Sequence, residues 1–107
     1  MAFKFENLEV WKEAVMITSK IYTLTSSFPR SENFGLTDQM RRAAVSVALN
    51  IAEGSTGRTN KDFKSYLLRS IGSISEVVTA LFIARNQNYI DKNKFEGLYG
   101  DYSNLAK

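Results

Sequence analysis

The stretch FKSYLLRSIGSISEVVTALFIA, residues 63–84, decides the fold. Phe63, Leu67, Ser70, Ile74, Val77, Leu81 and Ala84 follow one another at steps of four and three without a break. That is the period of an α-helix with one buried stripe. Ile71 and Val78 flank the seam and widen the stripe to suit a bundle core rather than a two-stranded coil. Thr59 and Asp62 resemble a capping box with a shorter acid than usual at the helix start. The β-branched pair Val77-Val78 lowers helix propensity, which core packing is expected to override. The helix is expected to fade at Asn86-Gln87-Asn88.

Working outward, the segment before it carries Met40, Ala43, Ala44, Val47, Ala48 and Ile51 on one face. These small side chains permit close approach of a neighbouring helix. Thr37 reads as its N-cap and Gly54 as a left-handed C-cap, followed by the turn Ser55-Thr56-Gly57-Arg58. Nearer the N-terminus, Trp11, Ala14, Thr18, Ile21, Thr25 and Phe28 give a third helical seam, which Leu8, Val15, Tyr22 and Leu24 widen. Asn7 reads as the cap, and Pro29 to Gly35 as a loop. After residue 88, Ile90 and Phe95 form a hydrophobic staple around Asp91, and Phe95, Leu98, Tyr102 and Leu105 continue the spacing. Gly97 and Gly100 weaken this last helix by about 1 kcal/mol each. No stop signal precedes Lys107. The expectation is an all-α fold: an antiparallel up-down-up-down four-helix bundle, one domain over 1–107, with helices at about 7–28, 37–53, 60–86 and 91–106.

The 107 residues include no cysteine and no histidine. Disulfides, thiolate metal sites and the commonest acid–base group are therefore excluded. No paired acids or glycine-rich phosphate loop compensate; Gly54-Ser55-Thr56-Gly57 lacks the following Lys and the preceding strand. A non-enzymatic protein is expected, with no cofactor and no metal. No apolar run approaches the roughly 20 residues of a membrane span, and residues 1–7 do not read as a signal peptide, so no membrane contact and a cytoplasmic location are expected.

The net charge of +3 is unevenly placed. Residues 36–69 hold six basic groups (Arg41, Arg42, Arg58, Lys61, Lys64, Arg69) against three acidic ones, whereas the segments on either side balance. Such a patch attracts phosphate polymers, and these six are the candidate nucleic-acid contacts; the alternative is a solvated face with ion pairs. Arg41 and Arg42 lie about 100° apart around a helix, so one can face outward while the other pairs across the bundle, with Glu76 or Glu53 as the candidate acid. Asn50 and Glu53 share a face and are expected to satisfy the helix end and the following loop. Trp11, Tyr22 and Phe63 sit at core spacing, although their rings could also stack on bases. Tyr66 and Tyr99 lie off the seams and are candidates for a subunit interface.

Two runs carry a family resemblance: Gly35-Leu36-Thr37-Asp38-Gln39-Met40-Arg41-Arg42-Ala43-Ala44-Val45-Ser46 and Asn50-Ile51-Ala52-Glu53-Gly54. Phe5 to Lys12, Phe28-Pro29-Arg30-Ser31-Glu32 and Gly72-Ser73-Ile74-Ser75-Glu76 add to them. Together they resemble the four-helix bundle proteins encoded in 23S rRNA intervening sequences, the S23-type family, over essentially the whole chain. The resemblance implies a four-helix bundle and a homopentameric ring. A related branch is the accessory protein of diversity-generating retroelements, which binds reverse transcriptase and RNA. By that likeness the expected partners are other copies of the chain, RNA or DNA, and a protein such as a reverse transcriptase. The chain departs from the family pattern at Ala48-Leu49, where other members often carry a proline, so its second helix is expected to be straighter.

Overall fold

The computed structural model describes residues 2–57 and 59–107. Four helices carry the fold: α1 (Glu9–Thr25), α2 (Leu36–Ser55), α3 (Asn60–Asn86) and α4 (Lys92–Leu105). Short 3₁₀ turns at Lys4–Asn7 and Arg30–Glu32 precede α1 and α2, and no strand occurs among the described residues. Consecutive helices are neighbours and α4 returns to α1, so the bundle closes in the order α1-α2-α3-α4. Tyr22 and Thr25 meet Arg41, and Thr18 meets Ala44. Val47 meets Ser70 and Ser46 meets Ser73. Phe82 meets both Phe95 and Tyr99.

The expected seams converge on one core. Ala14, Ile21, Met40, Ala44, Val47, Ile51, Val77, Leu81, Ala84 and Tyr102 are almost wholly withdrawn from solvent. α2 packs on α3 more extensively than any other pair. The small residues of α2 are the reason, together with hydrogen bonds across the seam: Ser70 Oγ donates to the Val47 carbonyl at 3.0 Å, and the Ser46 and Ser73 hydroxyls lie 2.9 Å apart.

α3 spans the residues its period predicts, and Thr59 Oγ1 accepts the Asp62 N–H at 3.1 Å. Its C-terminus closes through Asn88, which takes φ 63°. The Asn88 N–H reaches the Arg85 carbonyl and the Tyr89 N–H the Ala84 carbonyl, a complete Schellman closure with Asn in the left-handed place. Asp91 caps α4 as expected, accepting the Lys94 N–H at 2.8 Å, and Ile90 and Phe95 are both buried.

Several local expectations are corrected. Leu8, not Asn7, precedes α1, because Asn7 belongs to the 3₁₀ turn, and the helix stops at Thr25 rather than Phe28. Val15 and Tyr22 stay largely exposed while Ile17 is buried, so the stripe of α1 is rotated toward α4. Ile71 is likewise outside the core. Thr37 is inside α2 and buried; the α2 start is capped by the Glu32 carboxylate, whose Oε1 accepts the Leu36 N–H at 3.0 Å. Gly54 is no left-handed cap, since no described glycine has positive φ. It is helical, and a Cβ there would lie 2.7 Å from the Tyr66 Cβ. Close helix approach, not chain reversal, requires glycine at this position. α3 is also long and apolar enough, by length and composition, to cross a membrane, contrary to the count of uninterrupted apolar residues. Its serines, glycine and threonine raise no charge penalty, and its most apolar stripe lies in the bundle core.

Candidate nucleic-acid and subunit interface

The fold separates five of the six cations that the sequence groups, those that lie among the described residues. Arg41 is half-buried and turned onto α1: its Nε donates to Thr25 Oγ1 at 2.8 Å, an Nη donates to the Tyr22 carbonyl at 3.4 Å, and the guanidinium lies 4.7 Å from the Tyr22 ring centroid. The partner anticipated from sequence was Glu76 or Glu53, yet both carboxylates are exposed and neither pairs with it. A hydroxyl, a carbonyl and a π-face replace an ion pair. Arg42, one position on, is exposed and forms no ion pair among the described residues.

Lys61 and Lys64 stand exposed on the first turns of α3, and Arg69 lies over the Tyr66 ring at 4.7 Å. Among the described residues the ion pairs are Lys12–Glu9, Lys20–Asp101 and Lys92–Glu96, so none of these three cations is neutralised by a close carboxylate. Arg58 lies outside the described residues. Lys4 reaches the same end and lines a polar hollow with Gly54, Ser55, Gly57, Thr59 and Phe63.

Asn50 does not reach forward to the loop. Its Nδ2 donates back to the Ser46 carbonyl at 2.9 Å and to Ser46 Oγ at 3.1 Å, which orders the Ser46–Ser73 contact. The Glu53 side chain is exposed, and its backbone carbonyl takes the Thr56 N–H and hydroxyl. Among the described residues no group of three or more acids is placed to hold a metal ion.

Of the two tyrosines expected at a subunit interface, Tyr66 is half-buried between Gly54 and Arg69. Tyr99 is exposed and joins Phe82 and Phe95 in an aromatic cluster, with Arg85 5.0 Å from the Phe95 centroid. The sequence reading missed the larger feature, which is how much apolar side chain remains outside. Leu49 is 61% exposed, Leu68 59% and Phe34 99%, with Phe82 and Ile83 also outside. Their signal was available: Leu49, Leu68 and Phe82 interrupt the polar faces of their helices. Trp11, Val15, Tyr22, Val45 and Leu49 line a groove of about 420 Å³ between α1 and α2. Phe82 with Tyr99 occupies the α3/α4 side, opposite that groove in the cyclic helix order, whereas Ile83 faces the α2 side beside Leu36 and Gln39.

Two phenols titrate late. Burial pushes the Tyr102 hydroxyl far above its usual range, with the Asp101 charge adding to the effect. The Tyr89 phenol is raised chiefly by its hydrogen bond to Glu32, 3.0 Å away. The Tyr102 hydroxyl is buried with no hydrogen-bond partner among the described residues, as is Thr37 Oγ1.

The model of the family described as 23S rRNA-intervening sequence protein matches residues 6–107. A similar solved structure is the crystal structure of a protein with unknown function from the S23 ribosomal protein family of Bacteroides thetaiotaomicron VPI-5482; it superimposes with a TM-score of 0.83 at 19% identity, covering 91% of each chain. At that identity the likeness shows the shared fold. None of the curated proteins is significantly similar to the chain.

Proposed function

The chain belongs to the 23S rRNA-intervening sequence protein family, and on that premise we propose that it is a non-enzymatic, self-associating binding protein: one antiparallel up-down-up-down bundle per copy, joined into a homopentameric ring in the cytoplasm. The observation that carries this reading is the apolar surface left outside on two opposite sides, the α1/α2 groove and the α3 face with Tyr99. Distinct faces on one subunit favour head-to-tail contact, which closes into a ring when the rotation allows. Falling residue numbers on α1 against rising ones on α2 at Thr25–Arg41 and Thr18–Ala44 support the antiparallel arrangement. Light-scattering mass in dilute buffer tests it: an oligomer several times the 12.1 kDa chain is expected, and a monomer at every concentration would refute the reading.

The cargo favoured by the charge is structured RNA or DNA. Arg42, Lys61 and Lys64 are exposed cations without carboxylate partners among the described residues, and Arg69 presents its guanidinium over an aromatic ring. A ring repeats this weak patch and gives avidity without a strong single site. Arg41, spent on α1, is the least suited of the five described cations to contact phosphate. Anisotropy with a labelled RNA at about 50 and 200 mM salt is the test, since several phosphate contacts predict a steep loss between the two. Alanine at Lys61 and Lys64 is expected to weaken binding and leave oligomer mass unchanged.

The second reading is an adaptor that docks a partner enzyme such as a reverse transcriptase. Leu68 and Phe82, left exposed along α3, favour it. Absence of RNA binding at low salt, with the oligomer intact, would select this reading.

A further inference from the structure

Phe34 is the most exposed large apolar side chain of the described residues, at 99%. The loop that carries it is not slack. Glu32 fastens it twice, accepting the Leu36 N–H through Oε1 and the Tyr89 hydroxyl through Oε2, both at 3.0 Å. Tyr89 in turn packs against the buried Phe28, with centroids 5.3 Å apart. The N–H of Gly35 donates to the Glu32 carbonyl and that of Asn33 to the Arg30 carbonyl. A Cβ at Gly35 would lie 2.8 Å from Glu32 Oε1, so the carboxylate sits where any other residue's side chain would begin. The ring is thus held away from its own core by the fastening that links the α1–α2 and α3–α4 connections.

The α1/α2 groove has the matching chemistry. Each of its lining residues, among them Trp11, Val15, Tyr22 and Leu49, is uncharged, and its volume of about 420 Å³ accommodates a phenyl ring. The groove between α1 and α4 is larger but carries Lys20, Lys94 and Asp101, and the Lys20–Asp101 pair bridges it at 2.9 Å. Phe34 cannot fill the groove of its own chain, because Val45 begins nine residues of helix beyond Leu36, about 13 Å at the helical rise. Arg41 stacks on Tyr22 at one end of the groove, and at the other end the two rims carry opposite charge. Arg30, in the turn before Phe34, is exposed and outside every ion pair of the described residues. Glu53, one turn beyond Leu49, is equally exposed and belongs to no ion pair among the described residues.

We propose that Phe34 of one copy seats in the α1/α2 groove of a second copy, with Arg30 meeting Glu53 at its rim. The inference rests on the self-association reading and names what fills one of its two faces. It also gives the exposed Glu53 carboxylate an intermolecular role.

Sedimentation velocity on wild type, Phe34→Ala, Leu49→Glu, Arg30→Glu and the exchange pair Arg30→Glu/Glu53→Arg tests it, with circular dichroism confirming helix content for each. Phe34 and Leu49 are exposed, so their replacement leaves the monomer folded. Association is expected to weaken at least about tenfold in Phe34→Ala and in Leu49→Glu, as for a buried aromatic anchor. Mixing those two variants should yield a heterodimer through the one intact knob and groove. The exchange pair should regain assembly that Arg30→Glu alone loses. Undiminished assembly of Phe34→Ala would overturn this inference and leave self-association standing, whereas a monomeric wild type would remove both. An exchange pair no better than Arg30→Glu would overturn the Arg30–Glu53 contact.

Discussion

The α2–α3 pair and the α4 helix spend their glycines in opposite ways. In α2, Gly54 lies where a Cβ would stand 2.7 Å from Tyr66 Cβ and 3.0 Å from Phe63 Cδ1. In α4, Gly97 and Gly100 face open space, with nothing outside their own helix backbone and chain neighbours within 4 Å of the missing Cβ among the described residues. The first glycine makes a close helix pair possible; the other two only loosen the helix that holds them. The same contrast runs through the polar groups. Across α2–α3 the serines satisfy one another and the backbone, whereas α4 contributes the buried Tyr102 hydroxyl with no partner and is tied to α1 by an exposed Lys20–Asp101 pair. The bundle therefore consists of a tightly matched half and a looser one.

The largest expected effect comes from forcing the tight half apart. Gly54→Ala should destabilise by about 2–3 kcal/mol in urea unfolding, because the clashing atom is a Cβ that no rotamer change can move. A loss below about 0.5 kcal/mol would mean that the two helices separate freely. Filling the loose half should do the reverse. Gly97→Ala and Gly100→Ala are each expected to stabilise by about 1 kcal/mol, since an α-helix interior favours alanine and nothing obstructs the methyl group. Destabilisation by either would show that the groove beside α4 needs its glycine for a partner's approach.

Tyr102→Phe removes a buried hydroxyl that makes no hydrogen bond, so a gain of up to about 1 kcal/mol is expected at neutral pH. Its pH dependence has a definite sign. The folded-state pKa is raised, so above the ordinary phenol value of about 10 the unfolded chain ionises while the folded one stays neutral. Stability is full below that pH and falls as pH rises through it. Melting curves from pH 8 to 11 should show a shallower loss in Tyr102→Phe, with Tyr89 supplying part of the remaining slope. The smallest effect is that of Lys20→Met, which removes an ion pair whose partners are both partly solvated. Less than about 1 kcal/mol is expected, and added salt should reduce the difference.

How far the sequence could be read follows the same division. The seam of α4 places its buried residues correctly, and that of α3 does so from Ser70 to Ala84 while missing Ser73 and Ala80, because a period of 3.6 over several turns allows only one stripe; Phe63 and Leu67 are only half-buried. Thr59 and Asp91 cap as expected because their bonds close within three residues. α1 was read with its stripe too far toward Val15 and Tyr22, since apolar residues lie on both sides of that seam and only the positions of α2 and α4 choose between them. The candidate site was legible as a set of cations but not as an arrangement. Arg41 and Arg42 are adjacent in sequence, yet Thr25 and Tyr22, 16 and 19 positions away, withdraw one and leave the other free.

The sequence by itself determined four amphipathic helices, their approximate limits, the absence of thiol and imidazole chemistry, and the family signature. These depend on side-chain identity and short-range spacing, which the chain carries before it folds. The tertiary structure decided that Gly54 serves a close approach, that Glu32 rather than Thr37 caps α2, that Arg41 is engaged, and that Phe34, Leu49 and Leu68 are left outside. Each of those outcomes depends on what a distant segment brings within a few ångströms, and no local pattern encodes that distance.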